Sequence, residues 1–456
     1  MQSDATRRTF LAGSATAGVI AVAGCAGGDD EPGDDDADPA DDTGTDDTET
    51  DDEPDDDEPA ETEPTQYEIW ALDQGLDNIH LYEPGDGDGE FDHTGTIDVN
   101  EVTGEDDDLV PHMIDYTSDY EYAVVACTAG ARTLVFRTED HELVADIGTG
   151  AGSHFAGISP DEEYIHVDVI GEAKIVRVDA DFDDETFDIV DDIDMRENDA
   201  IVDAGIDTGS PICHQYAEDG RSLHTIGPSY YDGALVIVDH DDFSVDQAYS
   251  GEELPTNCGT MPHPDEEKFY LTAGLPSDPD EDIEGVGDYY VYDTAEDEIL
   301  VDGESTEGID AHGFWFTPDG EELWVLNRET NDGVVLDPDD DTVIEEIDTY
   351  GPDQSDDSDE RDAPDIMWSS PDGEYMFVTL RGPAPQSGDP HAATGVTPGF
   401  SVLDTDSREI ETVVEPDPIE NYDQDDIDAE EVPDFHGIGV RPIDDFETDI
   451  PTSPPF

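Results

Sequence analysis

The sequence predicts an all-β fold, a seven-bladed β-propeller closed by N- and C-terminal strands of one blade, and three observations carry that reading. A segment recurs seven times in one order: a His, Cys or Asp, about five mostly apolar residues, a Ser-Pro-Asp-Gly-like turn, then a Val/Tyr/Leu-rich strand. The copies are spaced like propeller blades rather than helical solenoids. The chain's two ends also carry complementary numbers of strands.

With the turn Pro position as anchor, the seven copies sit at Ser118, Pro160, Glu218, Pro264, Pro318, Pro371 and Pro442, so successive anchors are 42, 58, 46, 54, 53 and 71 residues apart. Between them, GALVIVDHDDF, DYYVYDTAEDEIL, DGVVLDPDDDTVIEEI and GFSVLDTDSREIETVV read as β-branched and aromatic strands joined by Asp- and Gly-rich turns. No window keeps a helical apolar period over a long stretch. A ring of four-stranded blades protects the sheet edges that such a chain would otherwise expose. After the last anchor, in FHGIGVRPIDD, too little chain remains for three more strands. YEIWALDQ, NIHLYEPG and TGTIDVN (67–99) precede the first anchor and lack an inner strand. The C-terminal segment is therefore expected to supply it.

The organisation read from composition is a signal segment over 1–24, an acidic disordered stalk over 25–64, the propeller over 65–446 and a tail over 447–456. Thr6 to Leu11 reads TRRTFL, a twin-arginine core, followed by an apolar run too short to span a bilayer. Val22-Ala23-Gly24-Cys25 resembles a lipobox, and that resemblance implies that Cys25 is lipidated. Residues 29–64 hold 21 acidic side chains among 36 positions and no Lys or Arg. Such a segment cannot collapse, and as a tether it spans about 30–35 Å. The expected location is the outer face of the cell membrane, with the membrane itself as a partner through the lipid.

The chain has 127 acidic against 14 basic residues, a formal net charge of −113. An excess spread over globular part and stalk alike is the composition of proteins from salt-saturated environments, where screening removes the self-repulsion. An extreme halophile, an archaeon, is the implied source. Nucleic acid is a poor partner for such a surface. Once Cys25 is assigned to lipid, Cys127, Cys213 and Cys258 remain, an odd number in an oxidising compartment. Either one pair is bridged and one thiol is free, or some bind metal.

Six residues before the anchors stand His112, His154, Ile212, Cys258, His312, Asp365 and His436. These positions begin the innermost strands, so their side chains are expected to converge at the mouth of the central channel. Ile212 breaks the column, but His214 lies two residues on and shares its side by strand alternation. Cys213 faces the other way unless a bulge shifts the register. The expected ring is His112, His154, His214, Cys258, His312, Asp365 and His436, with Cys213 in reserve. Imidazole with thiolate suits copper or zinc. A His ring also suits proton transfer or anion binding, and His at strand starts serves equally to hydrogen-bond a neighbouring blade. Arg328 and Arg381 both fall ten after their anchors, which suggests recognition of a carboxylate or phosphate. His391, in the long insertion GPAPQSGDPHAATGVTPGF, is placed to lower over the channel as a lid. His80, His93, His141, His240 and His263 read as surface residues, and His166 and His224 as packed or exposed. Trp315 and Trp368 share one offset and read as blade-to-blade packing.

The anchors and strands such as YMFVTLRG resemble the YVTN-type propeller repeats of surface-layer and periplasmic proteins over residues 67–445. That superfamily arrangement includes lactonase-like propellers, haem-d nitrite reductase and the propeller of nitrous oxide reductase, whose blades hold a copper–sulfide cluster by a ring of His. The present chain departs from that last pattern at Asp365 and Cys258, and it has no CxxCH haem-attachment motif. No nucleophile–base pair or phosphate loop is legible. The function expected is a membrane-anchored propeller that binds a small anionic ligand or a surface protein at a His/Arg-lined channel mouth. The alternative is a copper- or zinc-dependent redox or hydrolytic enzyme using the ring.

Overall fold

The repeat turn organises each blade. In the copy anchored at Pro160, Ser159 donates its hydroxyl to Asp161 at 2.7 Å and accepts from the Tyr164 amide at 3.0 Å. The same pair of bonds recurs at Thr117/Asp119/Tyr122, Thr317/Asp319/Glu322 and Ser370/Asp372/Tyr375. A Ser or Thr and an Asp at fixed offsets thus replace backbone partners and force the chain back antiparallel. The residue two after the anchor has positive φ in five copies: Tyr120, Glu162, Gly220, Gly320 and Gly373. That backbone explains why Gly recurs in the motif.

The computed structural model describes residues 66–443 except 86, 88, 207, 218, 258, 279–280, 356–359 and 417–431. The signal segment, Cys25, all of the stalk, Cys258 and the tail lie outside the described residues. Seven antiparallel four-stranded sheets form seven blades. Blades 1 to 6 span 111–147, 153–194, 210–249, 260–305, 311–347 and 364–414. The seventh combines Phe435–Pro442 with Tyr67–Asp73, Asn78–Pro84 and Phe91–Asp98, in that order from the inside. Tyr67 pairs with Pro442 and Ile69 with Val440, so both ends of the chain close one sheet as expected. Each inner strand neighbours the next, and the inner strand of blade 6 neighbours Phe435–Pro442, which neighbours that of blade 1. The ring is closed.

The core lies between the blades. Val124 and Ala126 of blade 1 pack on Ile165 and Val167 of blade 2, and Trp324 and Leu326 of blade 5 pack on Met376 and Val378 of blade 6. Trp315 and Trp368 stack at 4.4 Å between blades 5 and 6, with the Trp315 indole N–H donated to the Ser369 hydroxyl at 2.9 Å. Outer strands alternate or face solvent, as the burial of Thr342–Ile347 shows, where only Ile347 is buried. This leaves the inner strand starts free to line the channel.

Candidate functional site

Backbone bulges aim the column side chains. In six blades the pairing of inner and second strand breaks at the column: between Pro111 and Met113, Ser153 and Phe155, Pro211 and His214, Ala311 and Phe314, Pro364 and Met367, and around His436 in the closing blade. Bulged residues leave the ladder and re-aim their side chains. Five of them meet. His112 and His154 face each other with 2.7 Å between their Nε2 atoms. His112 stacks on His436 with ring centroids 3.7 Å apart. His312 Nε2 lies 2.7 Å from Asp365 Oδ1, and His436 Nε2 lies 3.6 Å from Asp365 Oδ2. His312, Asp365 and His436 hold their ligand atoms within 4.8 Å of one another.

Burial sets the charge of this ring. Desolvation lowers His112 and His436 well below the ordinary imidazole range, and lowers His154 to about 4 although one edge faces the funnel. Burial alone would raise Asp365, but His436, His312, Arg381 and Arg328 around it hold it well below the usual carboxylate range. His112, His154 and His436 are thus held as neutral imidazoles beside one carboxylate.

Several expected members stand elsewhere. His214 does not join the ring: its Nδ1 lies 2.6 Å from Asp168 Oδ2, while His224 Nδ1 lies 2.7 Å from the other oxygen. All three side chains are fully buried between blades 2 and 3. The bulge of blade 3 holds two residues, Ile212 and Cys213, so strand alternation no longer relates Ile212 to His214. It turns Cys213 toward the ring instead, with Sγ 3.8 Å from His154 Nδ1. Cys127 and Cys213 are free thiols. His80 and His240, expected on the surface, are buried against Asp73 and Asp161.

The arginines have carboxylate partners inside the protein. Arg381 is fully buried and makes two bonds of 2.8 Å to Asp434 and one of 2.5 Å to Asp365, so it fastens blade 6 to the closing strand and does not face a ligand. Arg328 lines the funnel, but its Nε donates to Asp310 at 2.8 Å and its Nη1 lies 3.4 Å from Asp365. Asp310 and Asp434 each stand two residues before a column His, His312 and His436, a shared offset missed in the sequence.

Above the ring opens a funnel of about 1040 Å³ whose lining includes His112, His154, His312, His436, Arg328 and His391. His391 sits on the short helix Pro390–Ala393, with Nε2 3.3 Å from both Ser277 Oγ and Glu329 Oε1. Its loop is held by the Gln386 amide on Asp434 at 2.7 Å and the Ser387 hydroxyl on Gln74 at 2.9 Å. Gln74, missed in the sequence, also contacts His112 Nδ1.

Fold and site together define a seven-bladed propeller with a polar funnel over a His/Asp ring. No family model and no curated protein matches the chain. Solved structures match its fold. A protein from Lactobacillus plantarum superposes with a TM-score of 0.56 at 12% identity, covering 83% of this chain and 100% of that one. The dihydro-heme d1 dehydrogenase NirN in complex with DHE gives 0.51 at 11%, covering 82% and 74%. Kuenenia stuttgartiensis hydrazine synthase gives 0.46 at 11%, covering 68% and 97%. At such identities the likeness is one of fold, and the chemistry has to come from the site.

Proposed function

We propose that the protein is a lipid-anchored, extracytoplasmic propeller of a halophilic archaeon that binds a small polar ligand in the funnel over its His/Asp ring. The observation that carries this reading is the convergence of four column histidines, His112, His154, His312 and His436, from separate blades on the floor of one cavity of about 1040 Å³, with Asp365 buried behind them. Ligand sites are concave, with a few convergent polar groups at fixed positions. The ligand is small and polar rather than strongly anionic, because Asp310, Asp365 and Asp434 balance the two guanidinium charges. A surface protein docking at the rim is the other partner this layout accommodates. Native mass spectrometry of a Cys25→Ser form isolated from its host tests the reading. A retained small molecule that is lost when Ser277→Trp fills the funnel supports it, and unchanged retention in that variant removes the funnel as the site.

A second reading, a copper or zinc centre, rests on His436. Its Nδ1 donates to the His112 carbonyl at 3.0 Å, which leaves the Nε2 lone pair facing the Asp365 carboxylate 3.6 Å away. A cation between these two acceptors, with His312 as third ligand, suits their chemistry. Against it, two guanidinium groups already contact Asp365. Copper or zinc near one equivalent in protein from the native host, lost in His312→Ala and His436→Ala, establishes the centre; metal-free protein under those conditions rejects it.

A further inference from the structure

One to three residues beyond the column on the inner strands, the channel holds a separate chamber of about 70 Å³. Its lining includes Cys213, Met113, Met261 and Met367, set among aromatic rings and beside His312. Met261 and Met367 are buried and Cys213 is half-buried. The Cys213 thiol, aimed there by the two-residue bulge of blade 3, lies 3.8 Å from His154 Nδ1.

We propose that Cys213, His154 and the methionine thioethers of this chamber form a binding site for a soft monovalent metal ion, Cu(I), distinct from the His312/Asp365/His436 group and resting on neither reading of the funnel. Three arguments converge. With bonds of about 2.3 Å to sulfur and about 2.0 Å to nitrogen, an ion held by both atoms at their 3.8 Å separation subtends about 125°, close to a trigonal site. Thiolate and thioether are the donors that select Cu(I), whereas oxygen ligands, which hard divalent ions need, are scarce in this wall. Charge agrees as well. A thiolate with a monovalent ion is neutral and suits an apolar chamber, while a divalent ion would leave an uncompensated positive charge there.

Proton accounting is simple. Burial keeps the Cys213 thiol protonated and desolvation keeps His154 neutral, so binding expels one proton, from sulfur. With the ion on Nδ1, the His154 proton sits on Nε2, from which it is donated to His112 Nε2 across the 2.7 Å contact. His112 in turn presents Nδ1–H to the Gln74 amide, which flips to offer its oxygen.

The test uses reduced protein with Cys25→Ser in molar salt, titrated with Cu(I) against a competing chelator and examined by X-ray absorption at the copper edge. The expected result is one tightly held equivalent with sulfur in its shell. Cys213→Ala should weaken it about 10–100-fold or more, with the thiolate-to-copper absorption lost. Cys127→Ala should leave it unchanged. Copper bound equally by Cys213→Ala, or a shell of nitrogen and oxygen alone, overturns the proposal. Should Cys213→Ala fail to fold, the edge spectrum of the parent protein still decides. Loss of copper in His436→Gln but not in Cys213→Ala would place the ion in the ring instead.

Discussion

Arg381 and Asp434 form two parallel bonds of 2.8 Å with both side chains fully buried. One partner follows the second strand of blade 6, and the other immediately precedes the closing strand Phe435–Pro442. Asp434 also accepts from the Gly382 and Gln386 amides, so the pair couples ring closure to the loop that carries His391.

Breaking a buried pair leaves an uncompensated charge, which costs about 3–5 kcal/mol. Arg381→Ala and Asp434→Asn should each lower stability by that order, measured by denaturant unfolding in molar salt. Arg381→Lys should not restore it, because a point charge cannot make the two parallel bonds. Unfolding midpoints within experimental scatter of the parent would show that the pair does not close the ring.

Much of this architecture was legible in the sequence. The anchors marked the blades because Ser/Thr and Asp at fixed offsets make the same turn in four of the copies, and the missing inner strand before Tyr67 located the closure. The column located the ring, since equivalent positions in a propeller meet at the axis. What the sequence hid was the bulge. In blade 3 Ile212 and Cys213 together face Thr225, as His312 and Gly313 face Leu326 in blade 5, and this exchanges the sides of Cys213 and His214. Arg328 and Arg381 share an offset, and so do Asp310 and Asp434, two before the column, but Arg328 takes the Asp of its own blade whereas Arg381 takes that of the next. A lone offset cannot reveal a partner supplied by another strand.

The Asp168 cluster should be pH-sensitive in one direction. Burial alone would raise Asp168, but His214 and His224 hold it far below the ordinary carboxylate value. Its folded pKa lies below its unfolded one, so its contribution is complete above about pH 4 and fades as pH falls through the folded value. The stability gap between parent and Asp168→Asn should therefore be full at pH 7 and narrow below about pH 4. A gap that stays constant to pH 2 would mean that the carboxylate is not ionised in the fold.

Gly157 tests the same cluster by volume. A Cβ there would lie 2.7 Å from His214 Nε2 and 3.0 Å from the Phe155 ring. Gly157→Ala should cost about 1–3 kcal/mol by overpacking, read from thermal unfolding, and should not alter ligand retention in the funnel.

The anchor has its own test. Cys25→Ser should release the protein to the medium or leave it unprocessed, and Arg7→Lys with Arg8→Lys should retain it in the cytoplasm, both read by fractionating the native host. Membrane association unchanged in Cys25→Ser would assign anchoring to another part of the chain.

Salt and closure should together set stability. With 127 acidic and 14 basic residues, carboxylates repel across a Debye length of about 30 Å at 0.01 M and about 3 Å at 1 M. The propeller should unfold as salt is withdrawn and refold when it is restored, followed by far-UV circular dichroism. Deleting residues 434–456 adds a cost that salt cannot remove. The strand Tyr67–Asp73 then loses its inner neighbour, Arg381 loses Asp434, and the ring gains two open edges. The truncated chain should melt well below the full chain even in molar salt. Equal melting temperatures would mean that the six remaining blades and the three N-terminal strands hold together without their closing strand.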